Sequence, residues 1–253
     1  MKQNALITGA GNRIGAAIAL ELAAAGHAIA VHFNRNRKGA EKVRDRIIAA
    51  GGRAIAVQAD LSEPGQRNGL VSEAARELGP LGILINNASI YQPDSATTIS
   101  EELWDRHFDI HARAPMFLIR DFAGQLPKNA RGHVINMIDE RVLRTDPSYF
   151  SYNLSKSVLW TATRTLAQSL APDIRVNAIG PGPTLPHERQ TRAQFEKSIA
   201  RLPLQTSSTP GQIADAIMFL LATPSITGQM LALDGGEHLE WRGPARGRDA
   251  TGK

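Results

Sequence analysis

Tyr152 and Lys156 lie four residues apart, and Asp139 precedes the tyrosine by thirteen. These are the residues whose types and spacing point to chemistry. On a helix, positions i and i+4 project from one face, which sets an ammonium beneath a phenol. A phenol with a pKa of about 10 donates slowly near neutrality; a neighbouring cation stabilises the phenolate and lowers that value. The expected product of the pair is a general acid. Asp146 is placed to cap the helix and Pro147 to occupy its first turn, which predicts Tyr152 about one turn inside. Tyr/Lys spacings of this kind also arise on ordinary surface helices, so the rest of the chain must supply the context.

The elements that would position them alternate between short apolar runs and longer amphipathic segments, the pattern of βαβ units around a parallel sheet. Strands are expected near Ala5 to Thr8, Ala28 to Phe33, Ala54 to Gln58, Ile83 to Asn86, Val134 to Ile138, Ile174 to Ile179 and Met230 to Leu233. Seven strands with helices between them predict one α/β domain, a doubly wound parallel sheet spanning residues 1–241. Residues 242–253 are polar, basic and contain Gly and Pro, and are expected to form a mobile tail.

The first strand runs into Thr8-Gly9-Ala10-Gly11-Asn12-Arg13-Ile14-Gly15, followed by a helix with Ile14, Ile18, Leu22 and Ala25 on one face. Glycines there let the backbone approach a pyrophosphate, which rests on the positive end of the helix. A Gly-rich turn after a first strand and opening a helix is a dinucleotide signal. Where an NAD enzyme offers a carboxylate to the ribose, this chain has Asn34-Arg35-Asn36-Arg37-Lys38. Guanidinium groups would hold a 2′-phosphate that a carboxylate repels, so NADPH is favoured. Arg35 and Arg13 are the better candidates, while Arg37 and Lys38 fit a solvated helix start. Asp60 and Leu61 end the third strand, where an acceptor would meet the adenine amine; Asp60 is also placed to cap the next helix. Asn86-Asn87-Ala88-Ser89 brings polar and small groups to the carboxyl end of the fourth strand, the edge where open α/β sheets bind ligands. Tyr91, in the following loop, is placed to stack on a flat heterocycle. His107 and His111 share a helix face without a third ligand at a recognisable spacing, so no metal site is expected. Trp104, Phe108, Phe117 and Leu118 read as core or subunit-packing residues.

The chain has 253 residues, net charge +5, 5% aromatics and no Cys. Disulfides, Cys-ligated zinc and thiol catalysis are excluded, and a reducing, cytoplasmic setting fits. The scattered basic residues and few aromatics argue against a nucleic-acid surface. No apolar stretch reads as a membrane span.

Taken in order, these pieces resemble the short-chain dehydrogenase/reductase family from Lys2 to His238. The resemblance is carried by the Gly9 to Gly15 turn, Asn86-Asn87-Ala88, Tyr152 to Lys156, Gly180-Pro181-Gly182 and Leu233-Asp234-Gly235-Gly236. It implies a Rossmann fold, a nicotinamide cofactor contacted by Tyr152, Lys156, Asn87, Ala88, Pro181 and Gly182 among others, and a homotetramer built on the helices flanking the fifth strand. Three departures narrow it. Arg13 replaces the usual middle glycine, Asp139 stands where a carbonyl-binding serine is normal, and His111 begins the stretch where the family has a catalytic Asn. The first two, with Ser89 and Tyr91, look like the pteridine reductases and the bacterial dihydromonapterin or alternative dihydrofolate reductases. That subgroup implies Arg13 on cofactor phosphate and substrate, Ser89 lining the pterin pocket and Tyr91 as its stacking aromatic.

An ionised Asp only accepts hydrogen bonds, so Asp139 suits a substrate presenting N–H groups better than a ketone. It is also placed to orient the Tyr152 hydroxyl. The expected activity is NADPH-dependent reduction of a pterin or dihydrofolate ring, with Tyr152 the acid, Lys156 its supporting cation, and Thr184 reaching substrate or cofactor from a mobile lid that ends at Leu202. The alternatives are a ketone or 3-oxoacyl-thioester reductase and, with the Tyr/Lys pair idle, a nonenzymatic NADPH sensor.

Overall fold

In a computed structural model, which describes residues 2–187 and 190–240, seven strands join one parallel sheet in the order β3-β2-β1-β4-β5-β6-β7. The strands are β1 (Asn4–Ile7), β2 (Ala28–Phe33), β3 (Ala54–Gln58), β4 (Leu81–Asn86), β5 (Gly132–Met137), β6 (Ile174–Pro181) and β7 (Met230–Leu233). Every expected strand is present; β2, β3 and β7 have the expected bounds, and the others have ends shifted by one or two residues. The order reverses between β1 and β4. That switch point opens a crevice at the carboxyl ends of the strands.

Helices cover both faces. On one face α1 (Arg13–Ala24), α2 (Arg37–Ala49) and α8 (Pro210–Ala222) bury Ile18, Leu22, Val43, Ile47, Ile213 and Ile217 against Ile7, Val31 and Ile85. On the other, α3 (Pro64–Leu78), α5 (Ala114–Gln125) and α6 (Phe150–Leu170) pack Leu70, Ala74, Leu118, Phe122 and Ala167 on Leu6, Leu84 and Val134. Burial on both faces explains why the strands read as continuous apolar runs. Below the crevice, α4 (Glu101–Phe108) continues through a π-helical turn, Asp109–Arg113, into α5. His107 therefore ends a helix and His111 sits in the wider turn, a feature that sequence spacing does not reveal.

The expected start of the catalytic helix is corrected. α6 begins at Phe150, three residues later than a cap at Asp146 and a first turn at Pro147 predict. Asp146 accepts hydrogen bonds from the Ser148 N–H and hydroxyl, closing a local turn. The acceptor at the helix start is Asp94, remote in sequence, which takes the Ser151 N–H at 3.1 Å and the Ser151 hydroxyl. Within the expected lid, Thr191 and Gln194 form a capping box that starts α7 (Arg192–Ile199), so this part is a regular helix. Glu188, Arg189 and the tail from Arg242 to Lys253 lie outside the described residues.

Candidate active site

β5 delivers Asp139 to the crevice two residues past its end, and α6 delivers Tyr152 and Lys156 from its first two turns. The Tyr152 hydroxyl donates to Asp139 Oδ2 at 2.7 Å. Asp139 Oδ1 accepts the Arg141 N–H at 3.0 Å, so this carboxylate starts the short 3₁₀ turn Glu140–Val142 and holds the phenol at once. Lys156 Nζ donates to the Met137 carbonyl at 2.8 Å and lies 5.7 Å from the centre of the Tyr152 ring. The expected arrangement, an ammonium under a phenol beside a carboxylate, is present.

The expected electrostatics are not. Tyr152 is pushed well above the ordinary tyrosine range, first by burial, then by the charge and hydrogen bond of Asp139, with Arg141 opposing. The charge bonded to the hydroxyl is a carboxylate, and together with burial it outweighs the Arg141 guanidinium. Lys156 is itself pushed down to about 8 by burial, with Asp139 acting the other way. Tyr152 is therefore a phenol held firmly protonated.

Around the pair, Tyr91 stacks on Tyr149 with ring centres 4.1 Å apart and planes 11° apart, and meets the edge of Tyr152 at 4.9 Å. Arg141 lies 5.5 Å and 5.4 Å from the two stacked rings and donates to the Tyr91 hydroxyl. Tyr149 reaches this position with a left-handed backbone, φ 55° and ψ 47°. Ser89 Oγ pairs with His111 Nε2 at 2.9 Å. Thr184 is tied to the Gly182 carbonyl and to Ser208 Oγ, both at 3.0 Å, and is 9% exposed, so it is anchored rather than free to reach a ligand.

The Gly-rich turn is pinned to the ends of β2 and β4. Asn87 Nδ2 donates to the Thr8 carbonyl at 2.7 Å, and Thr8 Oγ1 accepts the N–H groups of Asn87 and Ala88 at 2.9 Å. Gly9 has φ 65° and donates its N–H to His32 Nδ1 at 3.1 Å. That contact leaves the proton on His32 Nε2, which faces the Ala59 carbonyl at 3.0 Å. At Gly15 a Cβ would lie 2.5 Å from Asn87 Nδ2 and from the Gly9 carbonyl, so nothing larger fits. Asn12 precedes α1 without a side-chain cap, which leaves the N–H groups of Arg13, Ile14 and Gly15 for an anion. Arg13 takes φ 49°, the left-handed region that a glycine would occupy at no strain. Its guanidinium donates to the carbonyls of Pro186 and Leu185 at 3.2 Å and 3.4 Å.

At the other end of the crevice, Arg35 is exposed and Asn34 half-buried beside Asp60. Burial alone would raise the Asp60 carboxyl, yet hydrogen bonds from Ser62 and Asn34 and the charge of Arg35 hold it below its ordinary value. Asp60 does not cap the next helix; it closes a turn on Ser62 at 3.0 Å, and α3 starts four residues later. Leu61 is buried. Arg37 is engaged by Gln58, as a helix-start residue should be. Pro181 ends β6, and a Cβ on Gly182 would lie 2.7 Å from Asp234. No group of three metal-ligating side chains occurs among the described residues.

Three contributors escaped the sequence reading. Asp94 and Tyr149 carried no local signal. His32 did, as a polar residue inside the apolar run Ala28 to Phe33.

A family model described as enoyl-(acyl carrier protein) reductase matches residues 9–238. A short-chain type dehydrogenase/reductase of Picea abies is 30% identical over 248 residues, covering 92% of this chain and 91% of the relative. The chain belongs to the short-chain dehydrogenase/reductase family. Within that family, an uncharacterized oxidoreductase of Methylorubrum extorquens is 34% identical over 92% of this chain and 96% of its own. Among solved structures, FolM alternative dihydrofolate reductase 1 from Brucella canis, complexed with NADP, superposes with a TM-score of 0.94 at 46% identity, over 97% of each chain.

Proposed function

We propose that this short-chain reductase uses NADPH to reduce a pterin or dihydrofolate ring. The observation that carries the reading is the Asp139 carboxylate 2.7 Å from the Tyr152 hydroxyl. A ketone oxygen placed beside Tyr152 would face the lone pairs of Asp139 and lose a donor. A ring bearing N–H groups gains an acceptor there while one of its nitrogens takes the Tyr152 proton.

The residues present fit the cofactor. The uncapped N–H groups of Arg13, Ile14 and Gly15 and the close-packed Gly9 suit a pyrophosphate, with Asn12 and Arg13 beside it. Asn34 and Arg35 suit the adenosine phosphate, Asp60 and Leu61 the adenine, and Asn87, Ala88, Pro181, Gly182, Tyr152 and Lys156 the nicotinamide half. When bound, NADPH supplies the hydride. Asp139 orients the phenol and accepts substrate N–H, Tyr152 donates the proton, and Lys156 supports the charge left on its oxygen. Arg13, Ser89 and Tyr91 bound the substrate region, while Thr184 fixes the loop after Gly182. The chain's contribution is mainly placement of two rings and one proton donor.

Phe117 on α5 and Leu154 and Val158 on α6 are 36%, 38% and 43% exposed on the helices flanking β5, which supports assembly into a homotetramer through that face. No described helix is long and apolar enough to cross a membrane. The absence of Cys favours a cytoplasmic setting.

NADPH oxidation with dihydrobiopterin, dihydromonapterin and dihydrofolate, set beside an acetoacetyl thioester, tests the reading. Turnover of the pterins or dihydrofolate above that of the thioester is the expected result. Turnover of the thioester alone would make the protein a carbonyl reductase.

A further inference from the structure

Arg141 is a cation in the wall of the site with little to neutralise it. The bond from its backbone N–H to Asp139 Oδ1 fixes it on the 3₁₀ turn, two residues past the carboxylate that holds Tyr152. Its side chain is 24% exposed, and the guanidinium lies against the stacked Tyr91 and Tyr149 rings. Nη1 donates to the Tyr91 hydroxyl, and the guanidinium makes no other hydrogen bond among the described residues. The one carboxylate within 4 Å among them is Glu140, whose Oε1 stays 3.9 Å from Nε, too far for a hydrogen bond.

Neither neighbour balances the charge. Glu140 is raised to about 8 by burial, Glu237 and Asp139, so at neutral pH it is an uncharged acid. Tyr91, pushed up by burial, stays a phenol. Contact with two aromatic rings stabilises a cation but uses none of its N–H groups. A planar fork with donors to spare is suited to an oxygen acceptor. Asp139 has the opposite capacity left over: a carboxylate offers about four lone-pair sites, and the Arg141 N–H and the Tyr152 hydroxyl take two. Tyr91 meets the edge of the Tyr152 ring at 4.9 Å, so the guanidinium on its hydroxyl borders the region where the proton is delivered.

We propose that Arg141 determines substrate specificity by donating to a substrate oxygen, the oxo group of the pterin ring or a carboxylate of the folate tail, while Asp139 accepts a ring N–H. The proposal deepens the reductase reading and rests on it. A donor and an acceptor two residues apart on a short turn match a ring whose oxo group neighbours an N–H. They disfavour a ring with an amino group in the oxo position, which turns N–H toward N–H.

Steady-state kinetics with NADPH test the assignment. Arg141→Met keeps the backbone N–H on Asp139 and is expected to raise the substrate KM by about tenfold or more, with a smaller change in kcat. Arg141→Lys should recover part of that loss. A rise for dihydrobiopterin and dihydrofolate alike assigns the donor to the ring oxo group; a rise for dihydrofolate alone assigns it to the tail carboxylates. Inhibition by 2,4-diaminopteridine, which has an amino group in place of the oxo group, should change far less. If Arg141→Met leaves both KM values as they were, the proposal is overturned, as it is if the diaminopteridine Ki rises as much as the KM. Tyr91→Phe removes the bond between phenol and guanidinium and should shift KM by less than Arg141→Met does; equal shifts would make Arg141 only a prop for Tyr91. Those failures leave the reductase reading standing. A wild type that reduces neither dihydrobiopterin nor dihydrofolate removes that reading, and the assignment with it.

Discussion

A carboxylate and a hydroxyl occupy similar space at the end of a strand but offer opposite hydrogen-bonding to whatever lies beside Tyr152. Asp139 accepts from the phenol and, together with burial, raises its pKa; the proton stays on Tyr152 until a better acceptor is within reach. Tyr152→Phe should therefore lower kcat by about 10²–10⁴-fold while NADPH still binds, as fluorescence titration would show. Full retention of turnover would instead favour an idle pair. Lys156 carries its charge below about pH 8 and loses it above. If that charge supports the departing proton, kcat falls as pH rises through about 8, and a flat profile from pH 7 to 9 would remove Lys156 from the role. The types and spacing of these three residues were legible in the sequence. The direction of the Tyr152 shift was not, because it depends on which charge lies nearer the hydroxyl, a matter of tertiary geometry.

The helices and turns that hold these residues follow local rules at one end and long-range ones at the other. The Gly9 to Gly15 turn was readable from its glycines and its place after the first strand; at Gly15 the protein's own packing demands glycine, because a Cβ would strike Asn87 and Gly9. Gly15→Ala should reduce stability by about 1–3 kcal/mol and weaken NADPH in calorimetric titration; an unchanged affinity would disprove the placement of the pyrophosphate. The start of α6 was misread because a local Asp-Pro looked like a cap, whereas the acceptor comes from Asp94 on another loop. Asp94→Ala is thus expected to destabilise by about 1–2 kcal/mol or more and Asp146→Ala by clearly less. The reverse ranking in urea melts would restore the local cap.

For the whole molecule, one parallel sheet was evident from the alternation of apolar runs and amphipathic segments, and its burial on both faces made those runs continuous. What the pattern could not show is how stability depends on pH. His32 and His133 are depressed to about 4, chiefly by burial, so the unfolded chain takes up their protons first and stability is lost as pH falls from about 6.5 toward 4. Glu140, raised to about 8 by burial and by Glu237 and Asp139, has the opposite sign: its contribution is full below about 4.5 and is lost as pH rises through 8. Glu140→Gln should therefore gain in Tm over the wild type as pH is raised from 5 to 8.5, and parallel melting curves would contradict the assignment. The same 3₁₀ turn joins that carboxyl to Asp139, on which the functional account turns. The most direct test is the ratio of kcat/KM for dihydrobiopterin to that for an acetoacetyl thioester, measured with NADPH in the natural protein and in Asp139→Ser. A ratio well above one that falls by about tenfold or more, roughly the effect of one misplaced hydrogen-bonding group, is the predicted result. A ratio that the serine leaves unchanged would show that Asp139 does not select the substrate.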